Sequence, residues 1–277
     1  MVRELKIKAT KIRKNTVEMI HNSKGGHIGG SLSSIDILTT LYFDVLRIDS
    51  KNPKKEDRDR FIMSKGHSVE GYYNVLAEAG FFPKEWIETY GKYDSPLAGH
   101  PVNKVPGIEV NTGALGHGLN IGVGMAISCK LDKKSYKVYV LMGDGEQAEG
   151  SVYEAAIAAN HFQLDNLVAI IDRNGLQISG NTEDVMKLEN LSQRWSALGW
   201  NVIETDGNSI EALLHVFHKQ IPENTSPTMI IAKTTKGKGV SFMENKPEWH
   251  HKAPSTADFQ SALLELENQI LQLKSSE

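Results

Sequence analysis

Two oxygen-bearing side chains stand at the ends of two apolar runs. Val138-Tyr139-Val140-Leu141-Met142 empties into Gly143-Asp144-Gly145, and Leu167-Val168-Ala169-Ile170-Ile171 ends in Asp172-Arg173-Asn174-Gly175-Leu176. A carboxylate, a carboxamide and a nearby backbone carbonyl are hard donors that suit Mg²⁺ or Ca²⁺ rather than zinc. Protein sites for Mg²⁺ usually supply few ligands and leave the rest to phosphate oxygens and water. Gly143 and Gly145 strip side chains from around Asp144, so a diphosphate could approach the backbone N–H groups closely. The same residues also suit a plain strand-to-helix turn, with Asp144 as an N-cap and Asn174 turning with Gly175. The pair by itself leaves both readings open.

The elements around the pair place it on a sheet edge. Both apolar runs have the length and β-branching of buried strands, and Ser151–His161 between them has a helical pattern. Strand, helix, strand in that order is a parallel β-α-β unit, so Asp144 and Asn174 fall at carboxyl ends of strands, where open α/β sheets bind ligands. Before this unit the pattern predicts helices over 5–21, 33–45, 69–79 and about 118–130, and a short strand over 60–64. After it come helix 191–198, strand 201–205, helix 209–220, strand 229–234, a long irregular loop from Lys236, and a final helix 256–274. This alternation predicts an α/β fold: a doubly wound, mainly parallel sheet with helices on both faces. We expect one domain over 1–277, with an N-terminal helical segment 1–60 and a C-terminal loop and helix 236–277. Gly122 and Gly124, inside a helix, predict close packing against a strand or ligand.

Bulk properties exclude several classes. The net charge is −3, with 40% apolar and 23% charged residues, which gives no basic face for nucleic acid. No apolar run reaches the ~18–20 residues of a membrane span, and the charged N-terminal stretch lacks a signal-peptide core. A single cysteine, Cys129, cannot form an intrachain disulfide. A cytoplasmic protein is expected.

Four of the ten histidines occupy irregular segments: His27, His67 and His100 each follow a glycine, and His250 follows a tryptophan in the late loop. Imidazoles so placed are commonly surface groups, yet near neutral pH they can also donate, accept and relay protons. His21, His161, His215 and His218 lie in helical patterns and read as packing or surface residues. Glu149 reads as a first-turn acid facing a helix dipole, and Asp172 as a strand-end residue of open role.

Taken together, these stretches resemble the transketolase branch of the thiamine-diphosphate enzymes. Gly143-Asp144-Gly145 followed 30 positions later by Asn174 looks like the family fingerprint, and Asp172-Arg173-Asn174-Gly175-Leu176-Gln177 matches the branch more fully. Gly26-His27-Ile28-Gly29, Ser64-Lys65-Gly66-His67, Gly99-His100-Pro101 and His250 match its histidine contexts. The resemblance implies thiamine diphosphate as cofactor, with Mg²⁺ (Ca²⁺ or Mn²⁺ as substitutes) held by Asp144, Asn174 and the Leu176 carbonyl. It implies catalytic roles for His27, His67, His100 and His250 in the funnel to the thiazolium C2 carbon. Cofactor contacts are implied at His67, Gly113, Leu115, Gly143, Asp144, Gly145, Glu149, Asn174 and His250, with Glu149 in an interface carboxylate network. Two departures stand out. Ile28 replaces a common proline, and His250-His251-Lys252-Ala253-Pro254 replaces the His-Gly-Lys-Ala-Pro usual in the split form, so His251 competes with His250. His117 stands where Gln is frequent, and its role is left open.

The resemblance covers only the N-terminal portion of a full transketolase, which is its diphosphate-binding domain. It therefore implies a separate C-terminal-type subunit carrying the pyrimidine-binding domain, an α2β2 heterotetramer, and transfer of a two-carbon ketol unit from a ketose phosphate to an aldose acceptor in pentose phosphate metabolism. The alternatives are a deoxyxylulose-phosphate-synthase-like enzyme, whose family lacks the full histidine set, and a non-catalytic binding subunit. A dinucleotide-dependent dehydrogenase is disfavoured, because Gly122-Val123-Gly124 lies within a helix rather than after a first strand.

Overall fold

The computed structural model describes residues 1–188, 190–222 and 225–275. Five parallel strands, β1 (Arg60–Met63), β2 (Val138–Gly143), β3 (Leu167–Arg173), β4 (Asn201–Asp206) and β5 (Thr228–Lys233), form one sheet in the order β1-β2-β3-β5-β4. The expected parallel α/β sheet is therefore present. Side chains alternate across it as a two-residue period requires. Phe61, Met63, Tyr139, Leu141, Val168, Ile170, Ile230 and Ala232 enter one core layer, while Ile62, Val138, Val140, Met142, Ala169, Ile171, Met229 and Ile231 enter the other.

The first layer is covered by α1 (Val2–Ser23), α2 (Ile28–Thr40) and α3 (Val69–Glu78), with α9 (Thr256–Ser275) packed on α1. Helix α1 buries Leu5, Ala9, Ile12, Thr16, Val17, Met19 and Ile20 at helical spacing, and it stops at Lys24 in the left-handed conformation (φ 60°) rather than at a glycine. Every residue of α2 is buried, which suits a helix with small and apolar residues all round. It starts at Ile28, five positions earlier than its apolar pattern suggests, because Gly29, Gly30, Ser31 and Ser33 face protein rather than water. The second layer is covered by α4 (Gly118–Leu131), α5 (Gly150–His161) and α7 (Leu191–Ala197), with Trp195 and Trp200 filling its edge. A one-turn α6 (Thr182–Val185) and the short α8 (Ile210–His215) complete the set.

A Cβ at Gly122 would stand 2.6 Å from Val140 Cγ2, so this glycine lets α4 press onto β2. Gly124, expected to pack in the same way, faces open space. The sheet register aligns Met63 with Leu141, Gly143 with Asp172, and Arg173 with Lys233. The segments that follow β1, β2, β3 and β5 therefore leave the sheet side by side at one carboxyl edge. Among the described residues, no helix is long and apolar enough to cross a membrane.

Candidate active site

Asp144 follows β2 and is buried. Its Oδ1 accepts the Gly145 N–H (2.8 Å) and its Oδ2 the Gly175 N–H (2.6 Å). It does cap the short 3₁₀ turn Gly145–Ala148, so the turn reading holds locally. The bond to Gly175 also ties β2 to the segment after β3. There Asn174 Oδ1 accepts the Leu176 N–H (3.1 Å), and the Leu176 carbonyl accepts from Lys236 Nζ (3.3 Å). Burial, then the neighbouring Asp172 carboxylate, push the Asp144 carboxyl above its ordinary value. The Arg173 guanidinium, 3.4 Å from Oδ2, offsets part of this, and a divalent cation would offset more.

Behind Asp144 lies Asp172, wholly buried, whose carboxylate accepts from Lys65 Nζ, Ser33 Oγ (2.6 Å) and Thr234 Oγ1. One side chain thus joins the ends of β1, β3 and β5 to α2. Glu146, also buried, does the same for the second layer by accepting from Ser64 Oγ and from the N–H groups of Gly116 (2.9 Å) and Gly143 (2.9 Å). Burial raises the Glu146 carboxyl.

The histidines converge beside these strand ends. The His27 ring lies 5.3 Å from His67, 5.5 Å from His250 and 6.3 Å from His100, centroid to centroid, and His67 lies 5.6 Å from His250. His250 and the oxygen-donor cluster share one group, because Lys236 Nζ also lies 2.9 Å from His250 Nδ1. The backbone N–H of His27 donates to Glu70 (3.0 Å), a wholly buried carboxylate that also accepts from Ser31 Oγ (2.8 Å) and Tyr90 OH (2.9 Å). Burial, then the fields of His251 and His100, hold His27 down at about 4. Burial and Lys236 hold His250 at about 3, and burial lowers His67 as well. Burial and Lys65 bring Lys236 down to about 8.

The other expected contacts fall nearby. Gly113 packs on the His100 ring, where a Cβ would stand 2.8 Å from Cδ2, and Leu115 is half-buried on the same loop. His117 is exposed, with Nδ1 3.1 Å from the Leu115 carbonyl. Glu149 is exposed at the start of α5. His21 stacks on Phe259 at 4.1 Å and His218 pairs with Asp44, both outside the cluster. His250 faces Lys236 and His67, whereas His251 lies on the other flank of His27 with His100 in an open cleft of about 600 Å³. A second cavity of about 510 Å³, between α1, α3 and the 84–92 turn, contains none of these histidines.

Whether a diphosphate and a divalent cation fit can be asked of the residues themselves. A Cβ at Gly30 would stand 2.6 Å from Ser68 Oγ, 3.6 Å from Lys65 Nζ and 3.7 Å from His67 Nε2, so glycine lets these polar groups close on the start of α2. Ser68 Oγ is buried there without a hydrogen-bond partner, and the buried ammonium of Lys236 supplies positive charge, that of Lys65 being paired with Asp172. Those features suit an anion. Among the described residues, no three His, Cys, Asp or Glu side chains converge as a metal cage. A cation here would take one carboxylate, one amide and one carbonyl and leave its other positions to phosphate and water. Both groups fit.

Sequence reasoning missed Lys65, Glu70, Glu146 and Lys236 as parts of this site. Lys65 lies inside the Ser64–His67 motif, and Glu146 inside the Gly143–Gly150 motif, so the motifs themselves were the signal for both. Lys236 is legible only as the first charge after a strand. Glu70 sits in a helix with no signal of its own.

A parallel sheet with hard oxygen donors, buried ammoniums and clustered imidazoles at its carboxyl edge has the arrangement in which open α/β sheets bind ligands. The family described as "Transketolase, thiamine diphosphate binding domain" matches residues 5–265, and the chain belongs to it. It is 52% identical over 273 residues to one of the subunits of the apulose-4-phosphate transketolase of Phocaeicola vulgatus, covering 99% of this chain and 97% of that one. Against human transketolase it is 41% identical over 249 residues, which is 90% of this chain and 40% of that protein. The crystal structure of transketolase from Campylobacter jejuni superposes with a TM-score of 0.91 at 28% identity, covering 99% of this chain and 46% of that chain. The chain thus matches the Phocaeicola subunit in length, whereas it spans less than half of the human and Campylobacter enzymes.

Proposed function

We propose that this chain is the diphosphate-binding half of a split transketolase. With a C-terminal-type partner subunit, in an α2β2 assembly, it moves a two-carbon ketol unit from a ketose phosphate to an aldose using thiamine diphosphate and Mg²⁺. One observation carries the reading: His27, His67, His100 and His250 gather beside the Asp144, Asn174 and Leu176 oxygens, with Lys236 touching both groups.

Asp144, Asn174 and the Leu176 carbonyl would hold the cation, with Lys236 withdrawing from that carbonyl. Lys65, Ser68 and His67 beside Gly30 would hold the diphosphate, and Gly113, Leu115, Gly143 and Gly145 would bound it. When bound, thiamine diphosphate supplies the electron sink for carbon–carbon cleavage. The chain's own contribution is orientation and proton handling. Because burial keeps His27 and His250 neutral at pH 7, each has one ring nitrogen that accepts and one that donates. Such rings can hydrogen-bond sugar hydroxyls and take a proton from one of them. Residues 1–277 would act as one unit in the cytoplasm.

Exposed apolar residues support a partner surface. Ile178 (75% exposed) and Met186 (57%) lie in the segment after β3, and Ile157 (59%) lies on α5. The name of the Phocaeicola relative makes apulose 4-phosphate the first donor to try. The test is an assay of the chain and its co-purified partner with a panel of ketose phosphates, omitting chain, partner, thiamine diphosphate or Mg²⁺ in turn. Ketol transfer should require all four. Transfer by the chain alone at an unchanged rate would sink the split-enzyme reading, and a complex that takes up no thiamine diphosphate would favour a non-catalytic subunit.

A further inference from the structure

A fifth imidazole reaches the cleft. The His251 ring lies 4.4 Å from that of His27, nearer than His67, His100 or His250. It is exposed and lines the 600 Å³ cleft with His100, Tyr90 and Gly91. Among the described residues, neither of its ring nitrogens has a protein hydrogen-bond partner, whereas His250 engages Lys236 through Nδ1. The surroundings of His251 are fixed. Glu70 binds the His27 N–H, the Ser31 hydroxyl and the Tyr90 hydroxyl at 3.0, 2.8 and 2.9 Å, and so ties the cleft floor to its far wall. His251 therefore adds free hydrogen-bonding capacity at this mouth to that of the His27 and His100 rings, which likewise have no protein partner among the described residues and line the same cleft.

We infer that His251 determines substrate specificity by hydrogen-bonding a hydroxyl of the sugar chain that enters between His27 and His100. This rests on the ketol-transfer reading above. The chemistry matches a polyhydroxylated ligand, since imidazole offers a donor and an acceptor on opposite sides of one flat ring. A donor whose chain ends near the reacting carbon has no hydroxyl to offer there and gains nothing. At a solvent-exposed mouth the bond exchanges against water, so it shapes selectivity more than rate.

The experiment compares the reconstituted complex carrying His251→Gly or His251→Asn with wild type. Fructose 6-phosphate serves as a long donor and hydroxypyruvate as a short one. His251→Gly should raise KM for fructose 6-phosphate roughly three- to tenfold, leave kcat within about twofold, and leave the hydroxypyruvate KM unchanged. His251→Asn, which keeps a donor and an acceptor, should recover part of the loss. Unchanged KM values, or an equal rise for both donors, would overturn the inference. A wild-type complex without ketol transfer would instead defeat the functional reading. In that case the inference is decided by NMR of the full chain with labelled histidines, where the His251 resonance is identified by its loss in His251→Gly. A shift of that resonance on adding fructose 6-phosphate supports the contact, and its absence refutes it.

Discussion

Burial sets the chemistry of individual side chains here more than sequence neighbours do. His27 illustrates this, because its ordinary value of 6.5 falls to about 4 once desolvation and surrounding positive groups act on it. A group whose pKa is depressed in the folded state takes up protons first when unfolded. Its stabilisation is complete above pH 6.5 and is lost as pH falls toward 4. We therefore expect the melting temperature of wild type to drop more between pH 7 and pH 5 than that of His27→Gln. An equal or larger drop in the variant would show that His27 is not buried neutral. Much of this was legible at the residue scale. Histidines flanked by glycines in loops announce themselves, and so do Asp144 and Asn174 at strand ends. Asp172 and Glu70 do not, because a carboxylate acquires meaning only from what surrounds it, and their partners lie 139 and 43 positions away at Ser33 and His27.

The site is assembled from the ends of elements, so its geometry depends on how closely helices seat on the sheet. Alternating apolar strands and intervening helices made the parallel sheet legible, and the boundaries of α5, β2 and β3 follow the sequence pattern within a residue or two. The insertion of β5 between β3 and β4 was not legible, since all three strands are apolar and any order buries them. Nor was the early start of α2, whose glycines and serines read as loop until the surrounding core is known. Gly122 and Gly124 looked alike in sequence, and only packing separates them. A methyl group at Gly122 would meet Val140 Cγ2 at 2.6 Å and lift α4 off β2. Gly122→Ala should then cost about 1–3 kcal/mol as an overpacked contact, read as a lower urea midpoint with unchanged slope. Gly124→Ala, with nothing within 4 Å, should be neutral or slightly stabilising in a helix interior. Equal effects at the two positions would contradict this packing.

At the scale of the whole molecule, the strand ends that carry the candidate site lie beside exposed apolar side chains. Asp144, Lys65 and Lys236 concentrate charge at the carboxyl edge of the sheet, while Ile178 and Met186 stay exposed next to it. That combination is what the proposed split enzyme needs, a ligand gripped at one end by this chain and covered at the other by a partner subunit. The central claim is that Asp144 anchors the diphosphate through a divalent cation, and calorimetry tests it most directly. Thiamine diphosphate is titrated into the two-subunit complex with and without Mg²⁺, for wild type and Asp144→Ala. Binding should depend on Mg²⁺ in wild type and weaken by roughly a hundredfold or more in Asp144→Ala, with the folded complex retained by circular dichroism. Undiminished Mg²⁺-dependent affinity in the variant would contradict the claim.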